Sequence, residues 1–217
     1  QTVADATVDD GGSVLVSARL FQAITERMPG SNVTIELDDT RVRIKSGRAR
    51  FDLPAMPVAE YPVPDFTAQT LATMPSTVFE DAASRVAGVA SKDDVTPIIT
   101  AVQVTISDRV TFTATDRYRV GEYVTDAAVE CEGVVLIPAQ VLSDAAKSFT
   151  GEVSIGATGA DNPKVVIAGN EGSIMALTIS GNYPPVSRLM DIAVGGSTVV
   201  DSDALTETVA RCSVVVE

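Results

Sequence analysis

Histidine and tryptophan are absent from this sequence, and only Cys131 and Cys212 are cysteines. Without histidine there is no Ser–His–Asp or Cys–His nucleophile, and no zinc site that needs an imidazole. Two cysteines cannot staple a disulfide scaffold, and they fit a reducing compartment. Cys131 sits between Glu130 and Glu132, unlike the electropositive setting of a reactive thiol. No apolar run reaches the roughly 18 residues of a membrane span. No phosphate loop or dinucleotide fingerprint occurs. The acidic pairs Asp9-Asp10, Asp38-Asp39 and Asp93-Asp94 fall at expected turns. Neighbours on a strand point apart, so such pairs do not build a two-metal site. The expectation is a chain with no catalytic residues, no metal and no cofactor.

A basic excess is missing as well: 16 Lys and Arg face 29 Asp and Glu, a net charge of −13. That argues against gripping nucleic acid with the whole surface but allows a local basic face. The chain opens at Gln1 with no signal-peptide pattern, and is read as cytoplasmic and as a fragment or processed chain.

What the sequence does have is an internal repeat. Val14-Leu15-Val16-Ser17-Ala18-Arg19 leads into an amphipathic stretch to Met28, and Val135-Leu136-Ile137-Pro138-Ala139-Gln140 leads into another to Phe149. Ser17 suits an N-cap, Pro138 a first helical position, and Gly30 and Gly151 a helix stop. Tyr61-Pro62 is echoed by Tyr183-Pro184. A second echo relates the helix that starts after Pro75 to the one that starts after Asp201, with Phe79 matching Leu205 and Arg85 matching Arg211. Expected helices are 17–28, burying Leu20, Phe21, Ile24 and Met28; 76–91, burying Phe79, Ala82, Ala83 and Val86; and 138–149, burying Val141, Leu142, Ala145 and Phe149. Between them the period is two: residues 40–44, 48–53, 101–106, 110–115 and 118–124 read as half-buried antiparallel strands. Turns are expected at Asp38-Asp39, Ser107-Asp108 and Gly169-Asn170. The linkers are the Pro-rich stretch at 62–65 and the Gly-rich one at 191–197.

Four segments carry a family resemblance. They are Ser46-Gly47-Arg48-Ala49-Arg50-Phe51, Glu60-Tyr61-Pro62, Thr113-Ala114-Thr115-Asp116-Arg117-Tyr118-Arg119-Val120, and Gly181-Asn182-Tyr183-Pro184-Pro185-Val186-Ser187-Arg188-Leu189. Together they resemble the bacterial sliding clamp, the β subunit of DNA polymerase III. Pro185-Val186-Ser187 departs from the family's usual pattern there. The resemblance implies an α+β fold of clamp repeats, each with antiparallel sheets outside and two helices on the inner face. Residues 1–66 would be the second half of domain 1, 67–190 a complete domain 2, and 191–217 a linker and the first helix of domain 3. Alone, such a polypeptide is expected to be a monomer or a non-native aggregate.

By the same resemblance the function is non-catalytic: a homodimeric ring around duplex DNA that holds the replicative polymerase, as a subunit of its nucleotidyltransferase holoenzyme. No membrane is involved. Polymerase, clamp loader and repair proteins would bind through linear peptides in a groove of Ile99, Thr115, Arg117, Tyr118, Arg119, Val120, Pro184, Arg188 and Leu189. Arg19, Arg27, Arg85, Lys92, Lys147 and Arg211 would face DNA. From the residues alone, Arg41, Arg43, Lys45, Arg48 and Arg50 read equally well as a nucleic-acid patch or as a solvated face against Glu36, Asp38 and Asp52 or a subunit contact. The alternative reading is an acidic, β-rich interaction or adhesion repeat with no DNA role, which would be nearly free of helix.

Overall fold

A computed structural model describes residues 2, 4–29, 32–38, 40–159, 163–190, 193 and 195–215. The expected helix stop at Gly30, the second turn residue Asp39 and the linker start at Asp191 lie outside the described residues.

In the first unit Leu15 bridges Met56, and α1 (Ala18–Thr25) follows. Strands β1 (Thr34–Asp38), β2 (Arg41–Ser46) and β3 (Ala49–Pro54) form an antiparallel sheet in that order. Alternation along β2 buries Val42 and Ile44, which with Leu53 receive Phe21, Ile24 and Met28 from the helix side. Gly47, at φ 57°, makes the tight β2–β3 turn. On the opposite sheet face, Arg43 lies across from Glu36 on one side and Asp52 on the other. Its guanidinium is 3.0 Å from both Asp52 and Asp38, while Lys45 lies 2.8 Å from Glu36 and Arg50 3.3 Å from Asp52. Partial desolvation opposes the Asp52 charge, but the bonds and charges of Arg43 and Arg50 hold its carboxyl below the usual range. Arg43 and Lys45 are therefore spent in cross-strand ion pairs and Arg50 in one along its own strand, which favours the solvated-face reading.

The second unit is a strand–helix–strands motif used twice. The first copy comprises β4 (Gln69–Pro75), α2 (Ser76–Val86), β5 (Ala101–Ile106), β6 (Val110–Thr115), β7 (Val120–Thr125) and the short β8 (Ala128–Val129). The second comprises β9 (Gly133–Pro138), α3 (Ala139–Ala146), β10 (Glu152–Ala157), β11 (Lys164–Gly169) and β12 (Gly172–Leu177). Each copy lends its first strand to the other's sheet. The sheets run β12-β11-β10-β4-β8 and β7-β6-β5-β9. One core holds both, filled by Phe79, Val86, Phe112, Ile137, Leu142, Ile155 and Ile167, with α2 packed on α3. Where β10 meets β4 the register shifts at Gly156. A Cβ there would lie 2.9 Å from the Gln69 carbonyl oxygen, so the bulge needs glycine. A last helix, α4 (Ser202–Ser213), is capped by Asp201, whose side chain accepts from the Ala204 amide at 2.9 Å. These antiparallel sheets and helices are the expected α+β class, and the four α-helices among the described residues do not suit a nearly helix-free adhesion sandwich.

Several local expectations are corrected. The helix expected over 76–91 stops at Val86 and continues as a 3-10 turn, Ala87–Val89. The other two are also shorter at their ends, and Pro138 closes β9 rather than opening α3. Leu20 is 51% exposed: unlike Phe21, Ile24 and Met28, it does not pack on the Val42, Ile44 and Leu53 cluster. Tyr118 lies in a turn ahead of β7, not in the strand.

Candidate partner groove and helix faces

The segment between β6 and β7 is a turn built by side chains. The Asp116 carboxylate accepts from the Tyr118 and Arg119 amides, each at 3.0 Å. The Thr115 hydroxyl donates to the Arg119 carbonyl (2.8 Å) and accepts from the Arg117 amide (3.1 Å). Arg117 sits at φ 81°, a left-handed conformation that is costly for a side chain of this size. Arg119 is clamped between the Asp116 carboxylate (3.0 Å) and the Gly88 carbonyl (2.9 Å), and Arg117 lies 3.7 Å from Asp93. Partial desolvation works against the Asp116 charge, but these amides and Arg119 hold its carboxyl below the usual range. The outcome is a hydrogen-bonded loop that presents Tyr118 to solvent at 95% exposure.

Tyr183 joins this turn to the end of the second unit. Its hydroxyl accepts from the Thr115 amide at 3.1 Å and lies 3.4 Å from the Ala101 carbonyl, to which it donates. Burial pushes its phenol above the ordinary value. Pro184 follows directly, and Arg188 and Leu189 lie exposed on the 3-10 turn Val186–Leu189. Ile99 is buried on the 3-10 turn that enters β5, and Val120 is half-buried at the start of β7. Thr115, Arg117, Arg119 and the Tyr183-Pro184 corner are thus brought together, with Tyr118 at the rim. Ile99 is buried and offers no surface. The sequence reading missed Tyr183 and Asp116 as the groups that hold the site. Both stood in the quoted motifs, and the Tyr-Pro echo was the signal for the first. A cavity of about 460 Å³ opens nearby between Gln103, Leu136, Pro163, Thr178 and Tyr183.

The six residues expected to face DNA are all exposed and all lie on or beside helices. Arg27 reaches back to the Ala23 carbonyl, and Arg211 to the Thr208 hydroxyl. Lys92 borders a cavity of about 420 Å³ against Gln140 and Ser143 of α3. Arg85 is the one most engaged: it donates to Asp81 at 2.7 Å and lies over the Tyr123 ring, whose hydroxyl also donates to Asp81 at 2.9 Å. The hydrogen bonds from Arg85 and Tyr123 hold the Asp81 carboxyl below its usual range, against partial desolvation. A carboxyl lowered in the folded state stabilises above its unfolded pKa, and that contribution disappears as pH falls through the folded value. Denaturation from pH 7 down to pH 3 should therefore show a flatter acid limb in Asp81→Asn than in the parent; parallel curves would refute the pairing. Among the described residues no three His, Cys, Asp or Glu side chains gather as a metal site.

Comparison with known proteins agrees with this architecture. Residues 1–65 match the N-terminal domain of the DNA polymerase III beta subunit, and residues 73–185 match its central domain. The beta sliding clamp of Micrococcus luteus is 36% identical over 222 residues, covering 98% of this chain and 70% of that protein. That of Streptomyces coelicolor is 33% identical over 221 residues, covering 98% of this chain and 59% of the relative. In fold, the sliding clamp of Bacillus subtilis superposes with a TM-score of 0.81 at 22% identity, over 97% of this chain and 57% of that one. The Helicobacter pylori beta clamp bound to a DNA ligase peptide does so at 0.80 and 18% identity, over 96% and 60%. The chain thus spans some three-fifths to seven-tenths of the length of these proteins. With such identity sustained over nearly all of its residues, the chain belongs to the bacterial beta sliding clamp family.

Proposed function

We propose that this chain acts within a cytoplasmic processivity clamp: a ring of two copies of the whole protein around duplex DNA that tethers the replicative polymerase without catalysing any step. Residues 1–66, 67–190 and 191–217 are taken as parts of three successive domains. The chain's own contribution is a docking groove for short peptides carrying a glutamine and large apolar residues. The observation that carries this is the 115–119 turn, locked by Asp116 and Thr115, tied to the 183–189 segment through Tyr183, and displaying Tyr118 and Leu189 to solvent. A hydrogen-bonded scaffold with exposed large side chains suits linear-peptide capture, since little ordering is needed on binding. That a Helicobacter pylori clamp of the same fold holds a DNA ligase peptide supports the reading. The clamp loader and repair proteins would use the same groove.

The exposed Arg19, Arg27, Lys92, Lys147 and Arg211 would supply sparse phosphate contacts, with Arg85 weakened in this role by its partner Asp81. Sparse contact suits sliding, because enclosure replaces affinity while the acidic remainder repels DNA.

The groove is tested by fluorescence anisotropy with a labelled peptide of that type. Tyr118→Ala and Leu189→Ala should each weaken binding by about tenfold, as large side chains central to a site do. Unchanged affinity in both variants would refute the groove.

A further inference from the structure

Among the described residues Arg117 is the only non-glycine at positive φ. Glycine would hold this backbone at no steric cost, so what arginine adds at the position is its side chain. That side chain is 59% exposed, so packing does not account for it. Its guanidinium makes no hydrogen bond among the described residues, and its ion pair with Asp93, at 3.7 Å, is beyond hydrogen-bond length. Arg119, two residues on, is the contrast. It donates to the Asp116 carboxylate at 3.0 Å and to the Gly88 carbonyl at 2.9 Å. The turn uses one arginine as a strut and leaves the donors of the other open.

The setting is basic on an otherwise acidic chain. Residues 115–119 and 184–190 hold three arginines, Arg117, Arg119 and Arg188, against Asp116 alone, whereas the whole sequence has 16 Lys and Arg against 29 Asp and Glu. Asp116 is already taken by Arg119 and two amides. Arg188 is exposed and has no ion pair among the described residues. Of the nearby carboxylates, Asp94 lines the cavity beside α3, and Asp93 is held in its own loop by the Val95 amide at 3.0 Å. Arg117 directly precedes Tyr118, the most exposed aromatic of the site.

We infer that Arg117 gives this site a preference for acidic peptides: its guanidinium takes a carboxylate of the bound peptide in place of the loose contact with Asp93. This rests on the groove reading above and adds to it the charge of the partner. A guanidinium presents a planar fork of donors that matches a carboxylate, so an open one beside an exposed aromatic selects for acid next to a large side chain. The net charge of −13 opposes an acidic peptide at long range. A preference for acid therefore has to come from a local contact and cannot be a product of the overall field.

The test is fluorescence anisotropy on the 217-residue chain with labelled peptides that carry a glutamine and large apolar residues, each remaining position being made Asn or Asp in turn. At one position or more, Asp should bind about three- to fivefold tighter than Asn at low salt, the range of an exposed ion pair. That ratio should fall toward one as salt rises. Arg117→Gly, which suits the left-handed backbone, should bring the ratio at that position to about one, while Arg188→Ala should leave it above one. The ratio is read within each variant, so a general change in affinity does not obscure it. Peptides that bind the parent with a ratio near one at every position would overturn the inference and leave the groove standing. A ratio that survives in Arg117→Gly, or that is lost in Arg188→Ala, would place the preference elsewhere and overturn it too. If no peptide of the series binds the parent, the groove reading fails and the preference falls with it.

Discussion

Phe79→Ala is expected to cost the second unit about 3–5 kcal/mol, the range for truncating a fully buried aromatic. Phe79 has no exposed surface and meets the Phe112 ring edge-on, with centroids 6.4 Å apart and planes at 67°. Its helix α2 packs on strands of both sheets, and Phe79 belongs to the core they enclose. Its helix neighbours Ala82 and Ala83 are buried but too small to move into the void. The edge-on contact adds about 0.5–1.5 kcal/mol beyond burial, and alanine loses it as well. Against a total stability of about 5–15 kcal/mol for a domain, the loss is large. Urea denaturation followed by circular dichroism should show a lower midpoint with an unchanged slope. Phe79→Leu, which keeps much of the volume, should lose clearly less. A loss below about 1 kcal/mol in the alanine variant would mean the core collapses around the site.

The repeat was legible because burial writes the same periodicity twice. The Leu15, α1 and β1–β3 series and the β9, α3 and β10–β12 series place Phe21 with Leu142, Ile24 with Ala145, and Met28 with Phe149, all on the core side of their helices. Strands 101–106 and 110–115 were legible to the residue, since apolar and polar side chains alternate cleanly and turn residues bound them. Leu20 was not, because periodicity tells which face is apolar and not whether anything lies against it. The 115–119 turn was read partly as strand for a similar reason: Tyr118 and Val120 alternate as strand residues do. What decides the matter is the Asp116 carboxylate, which takes two amides that a strand ladder would have used. The basic cluster of β2 and β3 stayed ambiguous until register was known. Only cross-strand pairing sets Arg43 between Glu36 and Asp52.

Tyr183→Phe should separate the structural from the surface part of the groove. The hydroxyl is the acceptor for the Thr115 amide, and Thr115 is buried, so the phenylalanine variant leaves that N–H without its partner. An unsatisfied buried donor costs about 1–3 kcal/mol. The Ala101 carbonyl loses a longer bond of 3.4 Å, a smaller effect. The ring itself remains beside the open ends of β5 and β6, at Ala101 and Thr115, so the loss reports the hydroxyl alone. Because Thr115 also closes the turn through the Arg119 carbonyl and the Arg117 amide, release of its own amide should loosen the loop that presents Tyr118. Peptide affinity should then fall even though residue 183 need not touch the peptide. The discriminating measurement is amide hydrogen exchange: Thr115 and Arg117 should exchange faster in the variant, while amides of β10 and β11 keep their protection. Lost affinity with unchanged exchange at Thr115 would place Tyr183 in direct contact with the peptide. Unchanged affinity with faster exchange would show that the turn holds its shape without the pin.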